Sequence, residues 1–373
     1  MVVTNPRPFL SIESPVLTET LREVLRPDWN KFHPRAALRC MPAITLALLV
    51  GSFTGHAERG IMAASGAVSV GFGSYQELGG SRTAPMLFAT VGMCVSSWIG
   101  ALAGQSLSTT IAATALWGFL YVAISALGPG QQWIALQSVI WMIISTAYPA
   151  PGLHALTRGA FVLVGGLLQL LCVRSFWWAE RRRTPVMAGA TPAGACAENH
   201  ISDILEPQSC LFLYAIRAAI TLSVAAGLYR AFNVPNGYWI PMTAAIVLRA
   251  DMRQSITRGF ARMTGTILGT VLATIAASLL RPGPLTLSTL VLLFAWCAYS
   301  LLWVNYAIFV VPLTAYVVSL LALAGLPEPF VIHHRLLNTL IGGLISLAIH
   351  LIFFSWERTR LSRQQPVTES QPG

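Results

Sequence analysis

Apolar runs of about 20 residues, each long enough for a helix to cross a hydrocarbon layer about 30 Å thick, recur along most of this chain. Six fall at 36–55, 59–75, 84–104, 106–126, 131–148 and 154–177. After a polar interval, six more fall at 209–231, 236–250, 259–280, 285–304, 306–325 and 334–356. Such runs satisfy their backbone in lipid as helices. The pattern therefore predicts an all-α polytopic membrane protein with about twelve transmembrane helices.

The polar stretches between and around these runs are short. In residues 1–35, Val16, Leu17, Thr20, Leu21, Val24 and Leu25 recur at helical spacing behind Ser14-Pro15. Pro27 ends that pattern, and Trp29, Lys31, Phe32 and Arg35 follow, which reads as a cytoplasmic interfacial segment. About 35 mostly polar residues ahead of the first apolar run predict no cleavable signal, so the first helix must direct insertion. Residues 178–208 open with Glu180-Arg181-Arg182-Arg183 and carry Pro185, Gly189, Pro192, Gly194 and Pro207, the composition of a cytoplasmic linker. Residues 357–373 read as a polar, disordered cytoplasmic tail.

The two blocks, 36–177 and 209–356, share an ordered set of matches. Ala43-Ile44-Thr45-Leu46 and Gly51 align with Ala219-Ile220-Thr221-Leu222 and Gly227. With a shift of one residue, Gly60, Gly92 and Arg158 meet Gly237, Gly269 and Arg335, and Gly165-Gly166 meets Gly342-Gly343. Arg82 meets Arg258, and Pro-x-Pro precedes the last run of each block. An ordered set of this kind predicts a duplication into two six-helix repeats. An even helix count gives both repeats one orientation, with a substrate path expected between them. The Gly100–Gly104 and Gly265–Gly269 spacings predict close helix contacts.

Composition sharpens this reading. The chain of 373 residues is 55% hydrophobic and only 10% charged, well below the charge of soluble domains, about 25%. Its net charge of +10 is carried almost wholly by arginine, Lys31 being the only lysine. With no soluble basic domain present, that charge reads as loop bias and not as nucleic-acid binding. If the N-terminus is inside, only Arg59, Arg158, Arg230, Arg281 and Arg335 fall outside, against the other 19 of 24 basic residues. Both termini and the linker are therefore expected in the cytoplasm. The six cysteines show no metal spacing and read as small buried hydrophobes, not as a disulfide framework.

No GxSxG, P-loop or HExxH motif is present, so no enzyme, cofactor or metal is expected, and active transport would draw on a gradient or a partner. His333-His334 stand adjacent at a helix start and point apart. Chemistry rests instead on charges in or beside apolar runs, which are costly there. Arg39 and Arg217, near the inner ends of the first helix of each block, either snorkel to headgroups or attract an anionic substrate. Arg249, Asp251, Arg253, Arg258 and Arg262 read as a charged hairpin at the headgroups, with Arg249 and Arg262 as substrate-binding candidates. Asp251 either pairs with Arg249 or Arg262 or carries a transported proton. Trp239 either stacks an aromatic substrate or anchors the interface beside Tyr238. Pro241 is expected to kink or break its helix, with Thr243 satisfying a freed carbonyl. His350 reads as an interhelical hydrogen-bonder. The first block has Met62 and Ala64 where the second has Trp239 and Pro241, and Glu77 and Arg82 are its nearest equivalents of the hairpin charges, so the second is expected to hold more of the site.

Gly237-x-Trp239, Pro241-x-Thr243-Ala244, Arg249-x-Asp251, Arg262 and Gly265-Thr-Ile-Leu-Gly269 together resemble the fusaric acid resistance, or aromatic acid exporter, family. The resemblance implies a bacterial-type inner-membrane protein that exports small aromatic carboxylic acids, alone as a homo-oligomer or beside a periplasmic adaptor. It covers about residues 30–356, and this chain has a shorter linker and tail than members often carry. The rival expectations are a passive organic-anion channel and a non-transporting membrane scaffold.

Overall fold

A computed structural model describes residues 26–180, 206, 209–280 and 283–364. The amphipathic pattern before residue 26, most of the linker, Arg281 and the end of the tail lie outside the described residues. The chain is all-helical there, apart from short 3-10 turns and an isolated bridge between Leu78 and Ser81.

The first block contains α1 (Pro34–Leu38), α2 (Met41–Phe53), α3 (Ala57–Phe72), α4 (Thr83–Ala103), α5 (Leu107–Ser125), α6 (Pro129–Thr146) and α7 (Gly152–Glu180). The second contains α8 (Cys210–Ala231), α9 (Trp239–Val247), α10 (Met252–Leu280), α11 (Pro284–Leu301), α12 (Tyr306–Leu323) and α13 (Glu328–Gln364). Among the described residues, eight helices are long and apolar enough to cross a membrane, or nine if the bent α1–α2 pair is one span. Large apolar side chains cover the outside, among them Phe53, Leu153, Leu279 and Leu285. In water such a surface would drive aggregation; in hydrocarbon it carries no penalty. This is a multi-pass membrane protein.

Three expectations need correction. The run 236–250 is not a full span: α9 has nine residues, about 14 Å of helix against a hydrocarbon layer of about 30 Å. The tail does not begin at 357, because α13 continues to Gln364. Cys210 is disulfide-bonded, with its partner outside the described residues, so the cysteines are not all free hydrophobes.

Small residues set the spacing of the helices. A Cβ on Gly100 or Gly104 would strike the α6 carbonyls of Met142 and Thr146, and one on Gly265 or Gly269 those of Ala307 and Val311 in α12. The glycine spacings of α4 and α10 therefore bring each onto its partner two helices later. Corresponding pairs pack in both blocks: α2 on α3 and α8 on α9, α3 on α7 and α9 on α13, α4 on α7 and α10 on α13. Between the blocks, α5 packs on α8 and α11 on α1 and α2. The Tyr299 hydroxyl donates to the Val68 carbonyl at 2.7 Å, and the Thr146 and Tyr229 hydroxyls are 2.6 Å apart.

Candidate functional site

The centre of the second block is built around α9, which is buried along its whole length. Pro241 is its third residue, in the first turn, where a missing N–H is tolerated. It does not break the helix; the break comes at the other end. Leu248 turns extended (φ −60°, ψ 124°), and the chain reaches α10 through residues 248–251, which are not helical. The Arg217 guanidinium donates to the freed carbonyls of Arg249 (2.8 Å) and Ala250 (2.9 Å). At the entry to α9, the Asn338 amide of α13 donates to the carbonyls of Pro235 and Asn236, both at 3.1 Å. Asn233 and Asn236 take positive φ in that loop, a conformation asparagine tolerates better than most residues. Both ends of a half-helix are thus pinned by buried side chains, as irregular backbone at membrane depth requires.

Arg217 therefore bridges the break, whether or not it also meets substrate. Asp251 caps α10, accepting the Gln254 N–H at 3.0 Å. Its carboxylate lies within 4.0 Å of neither Arg249 nor Arg262, so the ion pair expected to shape a hairpin does not form. Ser255 links the parts: its hydroxyl accepts the Arg249 N–H and donates to the Asp251 carbonyl. His350 Nδ1 lies 3.4 Å from the same hydroxyl, the interhelical contact expected of it. Asparagine caps as well as aspartate. Asp251→Asn should thus keep the parent melting temperature, while Asp251→Ala should cost about 1 kcal/mol. A lower melting temperature in the Asn variant would show that the carboxylate has a partner beyond the cap.

The arginines do not form a headgroup hairpin. Arg258 and Arg262 lie within α10, and Arg262 is 4% exposed. Arg335, expected at the outer end of its helix, is 2% exposed inside α13. These residues form a column. Arg217 lies over the Tyr214 ring at 5.0 Å. Arg249 faces Tyr121 and Tyr214. Arg258 lies over Tyr306 at 3.7 Å, within charge range of Arg249 and Arg262. Arg262 is near Tyr306 and Arg335, and Arg335 lies over Trp239 at 4.9 Å. Tyr238 packs on both Trp239 and Tyr148, and Arg158 covers Tyr148 at 4.0 Å. Tyr121, Tyr148 and Arg158 come from the first block, so the column lies where the blocks meet.

None of Arg158, Arg249, Arg258, Arg262 and Arg335 has a carboxylate within 4.0 Å among the described residues. The Nε atoms of Arg158, Arg258, Arg262 and Arg335 are buried with no hydrogen-bond partner. Trp239 is 2% and Tyr238 5% exposed, so neither is an interfacial anchor. Thr243 is buried and its hydroxyl bonds no carbonyl; it stands against Gly342 of α13. The structure brings Trp239, Arg249 and Arg262 into one column, with Arg217 at its end, and places Thr243 on the packing face of α9. It adds Arg258, Arg335, Tyr306 and Tyr121. Arg335 had a signal in the sequence, its repeat partner Arg158. Tyr121 and Tyr306 had none.

Comparison with known proteins bears on the same block. Residues 224–349 match the family described as fusaric acid resistance protein-like. That segment holds α9, its break, Arg249, Arg262 and Arg335, so the resemblance holds where the column is built. The chain is also similar to slr1298 of Synechocystis, an uncharacterized protein, at 32% identity over 146 residues, 39% of this chain and 19% of that one. It is 34% identical over 130 residues to the uncharacterized YhfK of Escherichia coli, 35% of this chain and 18% of that one. An uncharacterized ORF2 product of Neisseria gonorrhoeae is 24% identical over 160 residues, 43% of this chain and 38% of that one. The chain spans about a fifth of the length of the first two. No solved structure matches it.

Proposed function

We propose that this fusaric acid resistance-like membrane protein is a non-enzymatic transporter that exports small organic acids, aromatic carboxylates in particular, driven by a gradient. The observation that carries the reading is the buried arginine column, in which none of Arg158, Arg249, Arg258, Arg262 and Arg335 has a carboxylate within 4.0 Å among the described residues. A lone arginine at mid-membrane costs about 3 kcal/mol on insertion scales, and an anion is what offsets several in a row. Guanidinium groups grip carboxylates with paired donors, and the Trp239, Tyr238 and Tyr306 rings suit a ligand with an aromatic face. The two blocks act as parallel six-helix repeats of about twelve helices, supported by the matched packing of α2–α3 with α8–α9 and of α4–α7 with α10–α13. In this reading the protein sits in a bacterial-type inner membrane with both termini cytoplasmic, as the bias of its basic loops favours.

A passive anion channel is the second reading, favoured by the continuity of the column from Arg217 to Arg158. Labelled hydroxybenzoate accumulation in energised cells, with and without the protein and an uncoupler, separates the two. Export predicts accumulation below the level at which the anion is in equilibrium with the membrane potential, restored by the uncoupler. A channel predicts equilibration with the membrane potential and no extrusion against it.

A further inference from the structure

The first block, expected to hold less of the site, contains a donor-rich cluster of its own around Arg39. Its guanidinium donates to the Ser74 carbonyl and hydroxyl at 3.4 and 3.3 Å, and the rings of Tyr75 and Trp177 lie 5.0 and 5.5 Å away. The contact corresponds in the fold to that of Arg217 with residues 249 and 250, since Ser74 follows α3 as those residues follow α9. Beneath it, the Cys40 thiol faces both Arg39 and Gln169.

Gln169 is the decisive residue. It is fully buried in α7, and apart from the Cys40 thiol beside it neither its amide nitrogen nor its amide oxygen has a hydrogen-bond partner. Arg39 Nε, the Tyr75 hydroxyl and the Trp177 indole N–H are likewise buried without partners. Four donors of one neighbourhood are thus left over, and no carboxylate lies within 4.0 Å of Arg39 among the described residues. Buried polar groups of this kind are normally satisfied, because each unpaired one costs about 1–3 kcal/mol. A carboxylate or phosphate would accept from a guanidinium and an amide together.

We propose that the first block holds a second oxyanion site, in which Arg39 and Gln169 bind a carboxylate or phosphate group beside the Tyr75 and Trp177 rings. It stands on its own geometry and does not require the second block to bind anything. Two sources share the chemistry: an organic acid, or an anionic lipid whose headgroup reaches in from the bilayer. Where the second block binds as well, the chain holds two anion sites, and the departures at Met62 and Ala64 mark a difference in ligand contacts and not a loss of function.

The test uses the full chain in phosphatidylcholine nanodiscs, labelled benzoate in equilibrium dialysis, and thermal melting. The parent is expected to bind two benzoates per chain, and Arg39→Gln and Gln169→Leu one each. Gln169→Leu should melt no lower than the parent, because an apolar isostere removes two unpaired groups; a merely structural glutamine would make this variant less stable. Should the second block not be a binding site, Arg262→Gln would keep the parent stoichiometry while the Arg39 and Gln169 variants still lose a site. For a lipid occupant, added phosphatidylglycerol would raise the melting temperature of the parent but not of Arg39→Gln or Gln169→Leu. If neither benzoate nor phosphatidylglycerol distinguishes those two variants from the parent, the proposal is overturned.

Discussion

Under the proposed function, Arg262→Gln is expected to cut anion flux at least about ten-fold and to leave the protein at least as stable as its parent. Arg262 lies in the middle of the column, with Arg258 and Arg335 in charge range and no carboxylate within 4.0 Å among the described residues. Removing it deletes a charge-assisted hydrogen bond to the passing anion, worth about 1.5–3 kcal/mol, or about ten- to a hundred-fold in affinity. The same change relieves repulsion among like charges in a medium that screens them poorly. Most core substitutions lower function and stability together. Here flux should fall while the melting temperature holds or rises. A fall in both would mark Arg262 as a structural residue with a partner of its own.

Gly342→Val and Gly343→Val should give opposite results although the two residues are adjacent. A side chain on Gly342 would strike the Ile240 carbonyl and lie 3.0 Å from Thr243 Cβ, whereas one on Gly343 meets nothing within 4 Å. Valine at 342 must push α13 away from α9, and overpacking of this kind costs about 1–3 kcal/mol or more. It would also move Arg335, two turns earlier on α13, off Trp239. At 343 the change should stay within about 0.5 kcal/mol. Yield and melting temperature in detergent report both. Equal behaviour of the two variants would mean that the crossing of α9 and α13 is not as close as described. Of the two adjacent glycines, only Gly342 packs against α9.

The long elements were legible because hydrophobic runs of membrane length admit few alternatives. The site was less legible. Run length says how apolar a stretch is, not whether its backbone stays helical, and residues 236–250 read as a span. What shortens α9 is Arg217 and Asn338, which reach it from 32 and more than 100 residues away in sequence. Arginines near the ends of apolar runs look alike on paper whether they face headgroups or the interior. Arg262 and Arg335 were assigned to opposite faces of the membrane, yet α10 and α13 cross so that the two lie near each other inside the protein. Tyr238 and Trp239 had the composition of an interfacial belt, and only their burial against Tyr148 and Arg335 shows otherwise.

The most direct measurement of anion passage through this column is hydroxybenzoate flux in proteoliposomes containing the purified chain, with Arg262→Gln and Arg335→Gln alongside. Flux above that of protein-free liposomes, lost in both variants while each keeps its parent's melting temperature, is the predicted result. Flux equal to that of empty liposomes, or undiminished in both variants, would contradict it.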